Sequence, residues 1–151
     1  MWRARTALLL AIGALVAAPA SACTISSPGV AFGAYNPRAT GNDDATGTIS
    51  LNCAPNVTAP VVQLAAGLSG IFSTRRMTSG SWQLNYNLFT NSARSIIWGT
   101  GIGGSVSQTL SGGTVSGGRR RFSRTIYGRI PPSQNVGAGS YSDTITLTVI
   151  F

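Results

Sequence analysis

Apolar and polar residues alternate without interruption near the C-terminal end of the sequence. From Tyr141 to Phe151, the side chains of Ile145, Leu147, Val149 and Phe151 fall on one side, and Thr144, Thr146 and Thr148 on the other. A period of two sends successive side chains to opposite faces of an extended backbone, so this stretch predicts a half-buried β-strand. Thr46 to Cys53 has the same character, with Ile49 and Leu51 set against Thr48, Ser50 and Asn52. Further strands are predicted at Pro60 to Ala65, Ser81 to Thr90, Ser95 to Trp98, Ser105 to Leu110 and Phe122 to Ile130. The three-to-four spacing of an amphipathic helix is not found in this part of the chain.

Turn-forming clusters separate these runs: Asn36-Pro37, Gly41 to Asp44, Thr78 to Gly80, Gly99 to Gly104, Gly112-Gly113, Gly117-Gly118 and Pro131 to Gly139. Glycine, Asn and Asp reach the backbone angles that tight turns require. Six to eight short strands at this spacing predict an all-β fold, an immunoglobulin-like sandwich, with a jelly roll or small barrel as the alternative. Val106 and Leu110 make the glycine-rich Gly99 to Gly118 stretch a long hairpin within one domain rather than a linker.

The N-terminal end has a different pattern. Arg3 and Arg5 precede an apolar run from Ala7 to Ala18, followed by Ala20-Ser21-Ala22. Charged start, apolar middle and small-residue end are the marks of a secretory signal peptide, and the expected cut follows Ala22. The run is too short to cross a bilayer, so no transmembrane segment is expected. A lipoprotein signal acylated at Cys23 is the competing reading, but Ala20 stands where such signals carry Leu. Residues 1-22 are thus read as the signal peptide and 23-151 as one exported domain. Cys23 and Cys53 are the only cysteines, and in an oxidising compartment they are expected to form a disulfide. A bridge closing the loop from 23 to 53 stabilises by roughly 3.5 kcal/mol in the chain-entropy picture.

Charge narrows the range of functions. All 11 basic residues are arginine, against three acids, Asp43, Asp44 and Asp143, which gives a net charge of +8. Such an excess favours anionic partners. The arginines are nonetheless dispersed, and within Arg119-Arg120-Arg121 and Arg124 a strand would turn neighbours to opposite faces. A solvated basic surface, or charged guards on a strand edge, fits them better than a nucleic-acid site, and no nucleic acid is expected as a partner.

The chain has no His, Glu or Lys, which removes the commonest general base, most paired-carboxylate mechanisms and Schiff-base chemistry. Catalytic triads and zinc sites lack their residues, so the expectation is a protein that is not an enzyme and has no cofactor or metal. Asp43 and Asp44 read as a turn capping its own amides rather than a calcium site. Gly99 to Gly104 lacks the lysine and helix of a phosphate loop. Asn56-Val57-Thr58 matches a glycosylation sequon that arises often by chance. Trp82, Tyr86 and Trp98 fit core packing better than a sugar-binding platform.

Several short motifs occur in a specific order: Cys23-Thr24-Ile25, Phe32 to Pro37, Ala45 to Thr48 leading to Cys53, Leu84 to Phe89 followed by Ala93-Arg94, Tyr127 to Pro131, and Gly139 to Thr144. Together they span nearly all of 23-151, and the chain resembles the spore coat protein U domain family, found in pilins of archaic chaperone-usher systems. The resemblance implies an immunoglobulin-like fold lacking its final strand, completed by donor-strand complementation. It also implies a periplasmic chaperone that lends a strand, an outer-membrane usher, and other pilin subunits as partners. No strand follows Phe151 in this sequence, so the outer edge of the last strand is expected to be open, with Ile145, Leu147, Val149 and Phe151 lining the donor and chaperone groove.

The function expected on these grounds is that of a secreted structural subunit, periplasmic in transit and then at the cell surface or in a fimbrium. A secreted adhesin or surface-coat protein using Trp82 and Trp98 is the alternative. Two features depart from the family pattern. Cleavage after Ala22 leaves no donor segment before Cys23, which points to a tip or terminal subunit. The Arg119 to Arg121 run stands where ordinary strand residues are expected.

Overall fold

The computed structural model describes residues 22–151, so the expected signal peptide lies, apart from Ala22, outside the described residues. The fold is all-β. Nine strands form in chain order: β1 (Cys23–Ser26), β2 (Asp43–Cys53), β3 (Val61–Leu64), β4 (Arg75–Ser79), β5 (Trp82–Phe89), β6 (Gln108–Thr109), β7 (Thr114–Ser116), β8 (Arg119–Ile130) and β9 (Leu147–Ile150), with one 3-10 turn at Gly67–Ser69. One sheet runs β1-β2-β8-β5-β4, with β7 also paired to β8, and the other runs β6-β3-β9. They pack face to face as an immunoglobulin-like sandwich.

The longest ladder joins β2 to β8 without a bulge, from Asp43↔Ile130 to Cys53↔Arg120. Alternation determines which face each residue takes. Ile49, Leu51, Phe122, Ile126 and Ile130 turn inward and are at most 5% exposed, while Thr48, Ser50 and Ser123 turn outward. Val62 and Leu64 meet them from the other layer, and Trp98, whose Nε1 donates to the Val62 carbonyl at 3.1 Å, joins the same core. Burying each large apolar side chain contributes about 1.5–3 kcal/mol.

The predicted strands at 46–53, 60–65, 81–90 and 122–130 form within a few residues of their expected limits. Others differ. Ser95 to Trp98 makes isolated bridges, Phe89↔Ile97 and Trp98↔Val106, rather than a ladder. Gly99 to Gly118 is not one hairpin. Its β6 pairs with β3 in the second sheet, Leu110 then drops into the core, and β7 joins β8 in the first sheet, so the segment crosses between layers. Gly113 allows that crossing by lying against the Phe122 ring, where a Cβ would collide. Gly117 and Gly118, at φ +58° and +70°, make the tight turn into β8 that a two-residue hairpin with both central angles positive demands.

β8 begins three residues earlier than predicted and takes in the arginine run. Arg119 donates to the side chain and carbonyl of Asn52, and Arg120 to the carbonyls of Pro55 (3.1 Å) and Gly113 (3.0 Å). These two guanidinium groups tie the end of β2, beside the disulfide, to the crossing segment. Asp43 and Asp44, expected in a turn, open β2 instead, because Arg129 faces Asp44 across the ladder and holds it there at 2.7 and 2.8 Å.

Candidate functional site

A long cleft lies between the N-terminal segment, Ile25 to Tyr35, and the C-terminal segment, Tyr141 to Leu147. The N-terminal wall is held close to the first sheet by two glycines. A Cβ on Gly47 would strike the Gly29 carbonyl, and one on Gly128 would strike Val30 and the Phe32 ring, so both positions need a bare backbone. Phe32 then packs edge-on against Tyr86, with ring centroids 5.9 Å apart. Tyr35 fixes the far end, its hydroxyl donating to the Pro131 carbonyl (3.1 Å) and accepting from the Gln134 amide (2.9 Å). Cys23 fixes the near end through its disulfide to Cys53, with S–S 2.04 Å.

The C-terminal wall rests on a paired bridge between Thr78 and Ser142 and on Asp143. The Asp143 carboxylate accepts from the Leu68 amide (3.0 Å), the Thr144 amide (2.8 Å) and the Tyr86 hydroxyl (2.8 Å). Burial, together with the hydrogen bond to Asp143, pushes the Tyr86 hydroxyl far above its usual range, so it stays a neutral donor. Between the walls the cleft has a volume of about 550 Å³ over Leu64, Tyr86, Leu88 and Ile126. It continues into a space of about 640 Å³ over Leu84 and Ile130, and touches at Ile25 a third of about 590 Å³ over Leu51 and Phe122.

Both walls carry unpaired backbone. β9 pairs only with β3, and β1 only with β2, so among the described residues each has a free edge. From Tyr141 to Val149 every second side chain, Asp143, Ile145 and Leu147 included, is half-buried, and the residues between them are exposed. An open strand edge beside an apolar floor is a place where an extended segment can add main-chain hydrogen bonds and fill pockets with alternate side chains.

The expected groove residues are placed unequally. Ile145 and Leu147 line the cleft. Val149 shares their face and packs against the core, outside the cleft lining. Phe151 extends beyond β9 and is 64% exposed. The ladder of this strand spans only Leu147–Ile150, because among the described residues nothing pairs with the Tyr141 to Thr146 backbone beyond the Ser142 bridge and a bond from the Ala65 amide to the Thr146 carbonyl.

Sequence reasoning missed the buried cation. Arg75, grouped with the surface arginines, is fully buried. It donates to the Ala65 carbonyl (3.1 and 2.9 Å), the Trp98 carbonyl (2.7 Å) and Asn87 Oδ1 (2.8 Å), over the Phe72 ring at 5.5 Å. Burial lowers its pKa from the ordinary guanidinium range. Its position directly across from Tyr86 in the β4–β5 pair was the available signal, had β4 been predicted. The aromatic platform is not assembled: Trp98 and Tyr86 belong to the core, and Trp82 alone is 47% exposed.

The sequence matches the Spore Coat Protein U domain over residues 8–148. It is 31% identical over 146 residues to Protein U of Myxococcus xanthus, covering 86% of this chain and 78% of that protein. The fold is similar, at TM-score 0.61 and 26% identity, to a chain in the crystal structure of the CsuC-CsuE chaperone-tip adhesion subunit pre-assembly complex from archaic chaperone-usher Csu pili of Acinetobacter baumannii. That similarity covers 85% of this chain, which spans 39% of the other.

Proposed function

The chain belongs to the Spore Coat Protein U domain family, and from that premise we propose that it is a secreted structural subunit of a chaperone-usher pilus or surface fibre, its cleft completed by a strand from another protein. The observation that carries this reading is the cleft itself, an apolar floor between two walls that each present a free strand edge. Ile145, Leu147, Val149 and Phe151 are assigned to the acceptor edge. A periplasmic chaperone fills the cleft in transit, an outer-membrane usher exchanges the chaperone for another subunit's segment, and the protein ends at the cell surface. The similar structure, a pre-assembly complex of a chaperone and a tip adhesion subunit, supports the chaperone and subunit partners.

Residues 1-22 direct export and are removed. Cleavage after Ala22 makes Cys23, fixed in β1 by its disulfide, the first residue of the exported domain, and on that basis we assign the subunit to a fibre end. N-terminal sequencing of secreted material tests that assignment, which is withdrawn if an apolar segment precedes Cys23.

Strand acceptance is tested with a synthetic extended peptide of alternating apolar residues. At a hundred times its dissociation constant, such a peptide should stabilise the protein by about 2.7 kcal/mol, seen as a raised denaturation midpoint. Leu147→Asp should abolish the response, because an unpaired carboxylate would enter the groove. A protein that melts cooperatively as a monomer and gains nothing from any such peptide has no open cleft to fill.

A further inference from the structure

The inward row of β8 reads Arg120, Phe122, Arg124, Ile126, Gly128, Ile130. Phe122, Ile126 and Ile130 are at most 5% exposed, yet Arg124 between them is exposed. Its partner across the ladder is Ile49, which is fully buried. Cross-strand partners project from the same face, so Arg124 rises from the core side of the sheet. It reaches water because the space above it is open. Arg124 lines, with Ile25, Leu51 and Phe122, the space of about 590 Å³ that adjoins the cleft at Ile25, and Ile25, on the same face of β1, is 46% exposed.

Arg124 also lacks a partner. Arg120, two positions earlier in the row, is satisfied by Pro55 and Gly113, whereas among the described residues nothing accepts a hydrogen bond from Arg124 and no carboxylate pairs with it. The chain has three acids in all. Asp44 is held by Arg129 and Arg94, Asp143 by Tyr86 and the Leu68 amide, and Asp43 lies at the other end of the ladder, opposite Ile130. No acidic side chain of the domain is placed to neutralise Arg124.

Building on the strand-accepting reading, we infer that the segment completing this cleft comes from a different protein and carries an Asp or Glu at the groove-facing position over Arg124. Apolar residues two positions to either side of it face Phe122 and Ile126. A wholly apolar strand would cover the guanidinium and strip its water without replacing it, whereas a carboxylate there forms a charge-assisted bond in a site of low dielectric. Even if export left residues 1–21 in place, they contain no acidic side chain, so that stretch of a second copy could not supply the group. Arg124 is thus a specificity-determining residue that selects the fibre partner by charge.

The test uses the purified protein and a set of extended peptides with alternating apolar residues, in which Glu, Gln or Leu is moved through each groove-facing position in turn. One Glu position should bind about tenfold or more tightly than its Leu counterpart, the scale found for close charge pairs at interfaces. Arg124→Leu should reverse that preference, and Arg124→Lys, which keeps the charge, should retain it. Among the described residues the Arg124 side chain makes no hydrogen bond or ion pair, and the lysine variant controls for folding. The inference is overturned if Leu peptides bind the unaltered protein as tightly as Glu peptides at every position, or if the Glu preference survives Arg124→Leu. Homopolymers of the chain alone, unaffected by Arg124→Leu, would identify a second copy as the occupant and overturn it too. If no peptide of any composition binds, strand acceptance itself fails, a result distinguishable from binding without charge preference.

Discussion

β8 and the C-terminal segment are both extended stretches with an inward apolar row, and they meet different fates. β8 has β2 along one edge and β7 and β5 along the other, and its inward Phe122, Ile126 and Ile130 are sealed from water. Tyr141 to Val149 alternates strictly, but among the described residues it is laddered on one side only and its inward residues stay half-buried. Alternation therefore states which face a side chain takes. It does not state whether anything covers that face, which depends on a neighbouring strand. The domain has a closed half around β2, β8, Trp98 and Arg75, and an open half along the cleft.

The largest expected effect is in the closed half. Arg75→Ala strands the Ala65 and Trp98 carbonyls and Asn87 and leaves a cavity, so it should lower unfolding stability by about 3–5 kcal/mol in denaturant titration. A loss of less than ~1 kcal/mol would mean that this end is as open to water as the cleft, and the contrast would collapse.

Reduction of Cys23–Cys53, or replacement of both by Ala, acts where the two halves meet. It should cost about 3 kcal/mol and release β1, where the N-terminal wall begins, while leaving the β2–β8 ladder intact. Hydrogen exchange resolves the two outcomes: protection lost at Thr24 and Ser26 but kept at Thr48 and Ser50 is expected, and uniform loss would show one cooperative unit.

Gly47→Ala drives a methyl group into the Gly29 carbonyl and should cost about 1–3 kcal/mol by lifting the N-terminal wall off the sheet. The cleft-filling peptide should also bind more weakly to this variant. Unchanged peptide affinity would show that the segment does not shape the cleft.

The smallest effect is at the surface. Arg129 and Arg94 hold the Asp44 carboxyl below its ordinary value of 3.8, with the hydrogen bond to Arg129 the largest cause. A depressed folded pKa contributes stability that is present above the unfolded value and lost as pH falls through the folded one, so the contribution fades below pH 3.8. Asp44→Asn should cost no more than about 1 kcal/mol at neutral pH and remove that part of the acid dependence.

The sequence by itself determined the class of fold, most of its inward faces, the pairing of its only two cysteines, and the Gly117-Gly118 turn, because each follows from local rules: a period of two, two cysteines and no others, and glycine at positive φ. Ile49, Leu51, Phe122 and Ile126 were legible as core for that reason. Only the tertiary structure decided which face is covered. Arg75 and Arg124 are both arginines in a β-strand, indistinguishable by pattern. The first is enclosed by carbonyls from Ala65 and Trp98, residues that neighbouring segments bring to it from ten and more positions away, and the second stands over a gap that no strand among the described residues fills. Whether a guanidinium is a buried strut or a waiting charge depends on long-range neighbours, and no local window of sequence contains them.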